Sequence, residues 1–451
     1  MKSATFSGQK YRRLLGEYVI IGRRNKNVCL KKNCHRLLLA ALFPFLVSCS
    51  NNQESKHLKS RYWSTSWATS MKVATPGFDP PLPNIKNTTI RQTIKLSGGG
   101  EEIRVWFSNE FGNIPLKIDS ATVSRNLGQE LIETASLKRL LFKENEATVI
   151  PPGERIASDP LKFPVKNLSE LVISIHLPDD LSRTNSPISY HVRGLQTNYL
   201  APGKQVESAN LKNAVTSVSY FFLAALDVKS QDKRPVIAAI GDSIMDGDQA
   251  ADAEPVDENA RFNNFLANII FKNGRRANVL NLGISGNQVT QSFLGQKPLD
   301  RFDRDILSIA GLTHVIVLGG INDIGLPGLL NEMGIPAMEI TAEKIISEHQ
   351  KIIAKIKENG LVAIGGTLTP SGGFSAPSYG EEAADAKRQR INNWIRTSGS
   401  YDHVIDFDAV LRDPDQIKQI QPKLTADGLH PNTKGYKRMA DAAYSVLNPY
   451  F

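Results

Sequence analysis

An α/β domain built on a parallel sheet, preceded by a β-rich, sandwich-like domain, is the fold class this sequence predicts, and three observations predict it. Between about residues 61 and 225, apolar residues recur at every second position in short runs. From residue 235 onward, short unbroken apolar runs alternate with segments of helical period. Between the two lies a polar stretch, Val228 to Arg234, across which the pattern changes.

In the first region Ile103, Val105 and Phe107 alternate with Arg104, Trp106 and Ser108, and Leu171, Ile173 and Ile175 alternate with Val172, Ser174 and His176. Successive strand side chains point to opposite faces, so each run has one apolar face to bury. Asn113-Ile114-Pro115 and Pro151-Pro152-Gly153 supply the turns between runs. Short strands separated this way predict a β-sandwich or jelly-roll-like domain over 61–227. Trp63, Trp67 and Trp106 have the surface to stack on sugar rings, although aromatic residues in a sandwich more often fill its core.

In the second region Pro235–Ile240, Val279–Leu282, Val315–Leu318, Leu361–Ile364 and Val404–Phe407 read as parallel strands buried on both faces. Helices are expected over 261–272, with Phe262, Phe265 and Ile269 on one side, and over 341–358, with Ile345, Ile346, Ile352, Ile353 and Ile356. A last helix follows Pro431, with Asn432 as its N-cap and Tyr436, Met439, Ala440, Ala443 and Val446 at helical spacing. Such a sheet carries helices on both faces and its site at the carboxyl ends of the strands.

The strand ends hold the residues with chemistry. The first run leads into Gly241-Asp242-Ser243, the second into Gly283-Ile284-Ser285-Gly286-Asn287, and the third into Gly319-Gly320-Ile321-Asn322-Asp323; the last loop reads Asp427-Gly428-Leu429-His430-Pro431. A serine hydroxyl needs a base to attack at neutral pH, and His430 can be that base through Nε2. Asp427, three residues earlier, can accept the Nδ1 proton and fix the tautomer. The amides of Ser243 and Gly286 and the carboxamide of Asn322 are candidate oxyanion donors. Each of these residues alone is an ordinary turn residue. Their occurrence together, in order, at strand ends and in the last loop makes a hydrolase site the better reading.

These four blocks resemble those of the SGNH hydrolases, also called the GDSL esterase/lipase family, which donate Ser, Gly, Asn and His in this order. The resemblance covers residues 235–451 almost throughout. It implies a flavodoxin-like three-layer domain and a carboxylic ester hydrolase with Ser243, Asp427 and His430 as catalytic residues, an oxyanion hole from Ser243, Gly286 and Asn322, and no cofactor or metal. Met245 stands where the family commonly has Thr. Trp63 to Trp67, Thr89-Ile90-Arg91-Gln92 and Phe107 to Gly112 look closer to one branch, the xylan-gene-cluster esterase-like proteins, which carry a β-rich N-terminal region. The implied substrate is an ester, with acetylated polysaccharide the expected partner. Two alternatives stand beside it: a lysophospholipase or thioesterase, which the same triad would serve, and a glycan-binding lipoprotein with a vestigial hydrolase domain. Specificity is expected from loops 247–260 and 324–340, the first rich in carboxylates (Asp248, Asp252, Glu254, Asp257, Glu258, with Asp246 just before it) and reading as a solvated insertion or rim, the second apolar.

The remaining histidines offer no second ligand at metal spacing: His314 opens a strand, His349 lies on a helix, and His403 has only Asp402 and Asp406 nearby. With the leader removed, charge gives no argument for a nucleic-acid partner, and none is expected. The chain is +9, but ten of its 54 basic residues and one of its 45 acidic residues lie in 1–48, so the rest is balanced. Within that leader, the apolar run 37–47 is too short to span a bilayer and reads as the core of a signal peptide. Leu46-Val47-Ser48-Cys49 resembles a bacterial lipobox, which implies lipidation of Cys49, a polar tether over 49–60, and a lipid anchor at the cell envelope, in the outer membrane if Gram-negative; the alternative is plain secretion. Residues 1–36 make a long lead, and translation starting near Val28 or Leu30 is expected. Cys29, Cys34 and Cys49 are the three cysteines, so nothing beyond residue 49 offers a thiol nucleophile.

Overall fold

The alternating runs of the first region form two antiparallel sheets that share one core. The computed structural model describes residues 62–250 and 255–451; the leader, Cys49 and the tether lie outside the described residues. The principal strands are β1 (Tyr62–Ala68), β2 (Lys86–Lys95), β3 (Gly100–Ser108), β4 (Ser120–Gly128), β5 (Glu170–Asp180), β6 (Asn198–Pro202) and β7 (Leu223–Ser230). One sheet runs β1-β7-β3 with Leu161–Val165 at its edge, and the other runs β6-β2-β5-β4. Ile103, Val105 and Phe107 of β3 are fully buried against Ile90, Ile94, Ile173 and Ile175 of the facing sheet. Trp67 lies in this core, edge-on to Tyr220 at 5.0 Å, whereas Trp63 and Trp106 are half-buried and hold the Arg104 guanidinium at 4.7 and 5.3 Å.

Strand β5 departs from the expected inside–outside alternation. Val172, Ser174 and His176 are as buried as their apolar neighbours. A second layer covers that face, and Arg91 binds it down by donating to the carbonyls of Glu130, Gln205, Ser208 and Ala209.

The unbroken apolar runs form a five-stranded parallel sheet: β8 (Val236–Gly241), β9 (Asn278–Gly283), β10 (Leu312–Leu318), β11 (Val362–Gly366) and β12 (His403–Ile405). The order is β9-β8-β10-β11-β12, so the chain reverses direction across the sheet at β8, and open α/β sheets bind ligands at such a switch point. Gly241 pairs with both Gly283 and Leu318, so the first three strands end level and their loops converge. Phe407, expected to end the fifth strand, instead begins a helix.

The helices are α1 (Ser243–Asp246), α2 (Phe262–Lys272), α3 (Ile321–Glu332), α4 (Ala342–Glu358), α5 (Pro377–Gly380), α6 (Glu382–Thr397), α7 (Phe407–Leu411) and α8 (Thr433–Leu447). Helix α2 packs on α8 and α4 on α6. The buried stripe of α2 is Phe262, Leu266 and Ile270, with Phe265 and Ile269 only partly covered. Asn432 caps α8 by accepting from Lys434 N and Gly435 N at 3.0 and 3.1 Å. Both regions belong to one compact unit, Ser60–Phe451.

Candidate active site

At the end of β8 the chain turns straight into α1. The Asp242 side chain caps this turn by accepting from Ile244 N at 3.0 Å, and Gly247 closes it with φ +105°, a conformation glycine adopts without strain. Ser243 is thereby held on one turn of helix, 6% exposed. Burial pushes the Asp242 carboxyl up to about 7, although the Ile244 amide and the nearby His430 oppose that rise.

The last loop brings the other two residues. His430 Nε2 lies 3.0 Å from Ser243 Oγ, and His430 Nδ1 lies 2.7 Å from Asp427 Oδ2. The second carboxylate oxygen, Oδ1, accepts from Leu429 N at 2.9 Å and His430 N at 2.8 Å. Burial raises the Asp427 carboxyl, but these bonds and the charge of His430 outweigh it and hold it at about 2. An ionised Asp427 accepts the Nδ1 proton, so the Nε2 lone pair faces the serine hydroxyl. Thr425 braces the turn, donating to His430 O at 2.7 Å and accepting from Gly428 N at 3.0 Å.

The loop after β9 and the start of α3 complete the corner. Gly286 adopts φ +76°, and a Cβ there would strike Leu294. Asn322 Nδ2 donates to the carbonyl of Asn287 at 3.2 Å, which ties the carboxamide beside Gly286. All the residues expected from sequence therefore lie on level strand ends or the last loop, with Ser243, His430 and Asp427 in direct contact.

Two residues of this corner, Tyr379 and the Asp323 of the third block, have roles that the sequence did not announce. Tyr379 OH donates to Asn322 Oδ1 at 2.9 Å, which fixes the carboxamide with its NH₂ turned to the loop. Asp323 is fully buried and accepts from Val289 N, Thr290 N and Thr290 Oγ1 at 2.8, 2.9 and 2.6 Å, clamping the Gly286 loop to α3. Burial raises its carboxyl despite these donors.

Some expectations change. Asp246 and Asp248 are buried rather than forming a solvated rim, and residues 251–254 lie outside the described residues. The stretch 324–332 is not a loop but the body of α3, with Ile324, Leu326 and Leu330 buried. Histidine 349 is a core residue: Nε2 is 3.0 Å from Gly319 O and Nδ1 2.6 Å from Tyr401 OH, and burial lowers its ring to about 4.

Residues 239–438 match the model of the GDSL-like Lipase/Acylhydrolase family. Over these residues the chain is similar to that family. Among solved structures, the GDSL-like domain is similar to a member of the lipolytic G-D-S-L family from Veillonella parvula (21% identity, 48% of this chain and 98% of that one, TM-score 0.35). It is also similar to a carbohydrate acetylesterase from Sinorhizobium meliloti (14%, 49% and 100%, 0.38) and to an acetyl xylan esterase (19%, 47% and 98%, 0.34). A comparison with curated proteins gives no match.

Proposed function

We propose that this protein is a serine carboxylic-ester hydrolase working through an acyl-enzyme and preferring short acyl groups, acetyl above all, on a carbohydrate alcohol. The observation that carries the reaction is the continuous Ser243–His430–Asp427 contact, at 3.0 and 2.7 Å. Ser243 Oγ attacks the ester carbonyl as His430 Nε2 takes its proton, and Asp427 stabilises the imidazolium that forms. The amides of Ser243 and Gly286 and the free N–H of Asn322 Nδ2 receive the developing oxyanion. His430 returns the proton to the leaving alkoxide, and water repeats the sequence on the acyl-enzyme.

Two features support a short acyl group on a sugar. Ile324, Leu326 and Leu330, from the apolar stretch that would line a long-chain site, are buried. The runs Trp63–Trp67, 89–92 and 107–112 resemble those of the xylan-gene-cluster esterase-like branch. An envelope anchor through Cys49, which the lipobox-like run supports, would hold such an enzyme where polymer fragments arrive. The test is a series of aryl esters from acetyl to long-chain acyl, with acetylated xylan and a lysophospholipid alongside. Turnover is expected to fall with chain length and acetate to be released from the polymer. Faster turnover on the long-chain ester or the lysophospholipid would overturn the substrate reading in favour of a lipid acyl hydrolase.

A further inference from the structure

The nucleophile turn is tied to the β-rich region by side chains that the triad does not use. Asp246 ends α1, three residues after Ser243, and is fully buried. Its amide donates to Asp242 O at 2.8 Å, and its carbonyl accepts from Asn281 Nδ2 at 2.7 Å. Its carboxylate accepts from His191 Nε2 at 3.1 Å and from Arg261 Nη1 at 3.4 Å. His191 belongs to the β-rich region and is 1% exposed, and its Nδ1 lies 3.0 Å from the carbonyl oxygen of Ser70. Both ring nitrogens thus face oxygen atoms, one on each side of the ring.

Ser70, itself fully buried, reaches the other half of the corner. Its hydroxyl accepts from Arg301 Nη1 at 2.6 Å. Arg301, also fully buried, donates to Leu282 O at 2.9 Å and through Nη2 to Asn287 Oδ1 at 3.1 Å. Asn287 follows Gly286, and its carbonyl is the acceptor that holds Asn322. One residue thus joins two chains of bonds: Ser70 through His191 to the turn of Ser243, and Ser70 through Arg301 to the loop of Gly286.

We propose that Ser70, His191 and Arg301 are positioning residues, through which the β-rich region sets the separation of the Ser243 nucleophile from the oxyanion donors. The inference rests on the ester-hydrolase reading above. The nucleophile and the oxyanion donors Gly286 and Asn322 come from different strand ends, and a misplacement of about 1 Å can lower turnover roughly 10²-fold. Buried groups bonded to one another hold such a separation because water cannot replace their partners. On this view the β-rich region is part of the catalytic machinery.

The test compares kcat, KM, melting temperature and the rate of fluorophosphonate labelling in the full chain. In His191→Leu, kcat should fall at least about tenfold with KM nearly unchanged, and labelling should slow in parallel. His191→Gln, whose amide can still donate to Asp246, should recover most of the loss. Ser70→Ala, a small change that should fold even where His191→Leu does not, should lower kcat by about threefold or more. Asn278→Ala is the structural control. It breaks a buried link between the same regions at the opposite ends of the strands, where Asn278 Nδ2 donates to Thr65 O at 2.7 Å, and should lower the melting temperature alone. The inference is overturned if folded His191→Leu or Ser70→Ala keeps wild-type kcat, or if Asn278→Ala loses kcat equally. A wild-type chain that neither hydrolyses esters nor takes the label overturns the functional reading itself, and this inference with it.

Discussion

The loop that carries the base and the corner that carries the nucleophile are held in different ways. Apart from its contact with Ser243, the hydrogen bonds that orient His430 come from within 425–430: the Asp427 carboxylate takes the ring and two backbone amides, and Thr425 takes the ends of the turn. The corner of Ser243, Gly286 and Asn322 depends on partners far away in sequence. Asp323 reaches back to Val289 and Thr290, Tyr379 reaches Asn322, and His191 reaches Asp246. One side of the site is concentrated in a single carboxylate and the other is spread over many groups, so damage to them should differ in size.

The largest single loss outside Ser243 and His430 should follow Asp427→Asn. It removes the acceptor that sets the tautomer, and kcat should drop by up to about 10⁴-fold. A loss below tenfold would mean that the local loop holds His430 without its carboxylate. On the distributed side, Asn322→Ala should cost about 10²–10³ in kcat as one oxyanion donor among three. Unchanged turnover would remove Asn322 from that role. Tyr379→Phe, which loses only the bond that orients Asn322, should lower kcat by roughly a factor of ten. An effect as large as that of Asn322→Ala would show that the tyrosine itself meets the substrate.

The two sides should also respond oppositely to pH. Asp427, held at about 2 against an ordinary 3.8, adds stability that is fully present above about pH 4 and lost as pH falls toward 2. Asp242, pushed to about 7 by burial, favours the folded state while protonated, and that contribution is lost as pH rises from about 4 to 7. Melting curves should therefore show the penalty of Asp427→Asn shrinking on acidification below pH 4. The gain from Asp242→Asn, which keeps a capping oxygen, should grow between pH 4 and 7. Slopes of the same sign for the two variants would contradict this assignment.

This division also decides what the sequence made legible. Asp427 and His430 sit three residues apart with their turn between them, so their pairing could be read directly. The strand ends were legible because fully buried parallel strands are unbroken apolar runs. Tyr379 and Asp323 were not, because their partners lie on other elements and nothing local marks the contact. Stretch 324–332 misled for a related reason: Gly325, Pro327 and Gly328 disfavour a helix, yet a Cβ on either glycine would strike Tyr379 or Ser378. Close packing against α5 outweighs propensity there. The carboxylates after Ser243 suggested a solvated rim, but Asp246 is buried against His191, whose role no spacing in the sequence announces.

The most direct test of the account is to react the full chain with a fluorophosphonate, digest it, and locate the adduct by mass spectrometry. The account predicts a single adduct on the peptide containing Ser243, formed more slowly in Asp427→Asn and absent in Ser243→Ala. An adduct on another residue, or ester hydrolysis that survives Ser243→Ala, would contradict it.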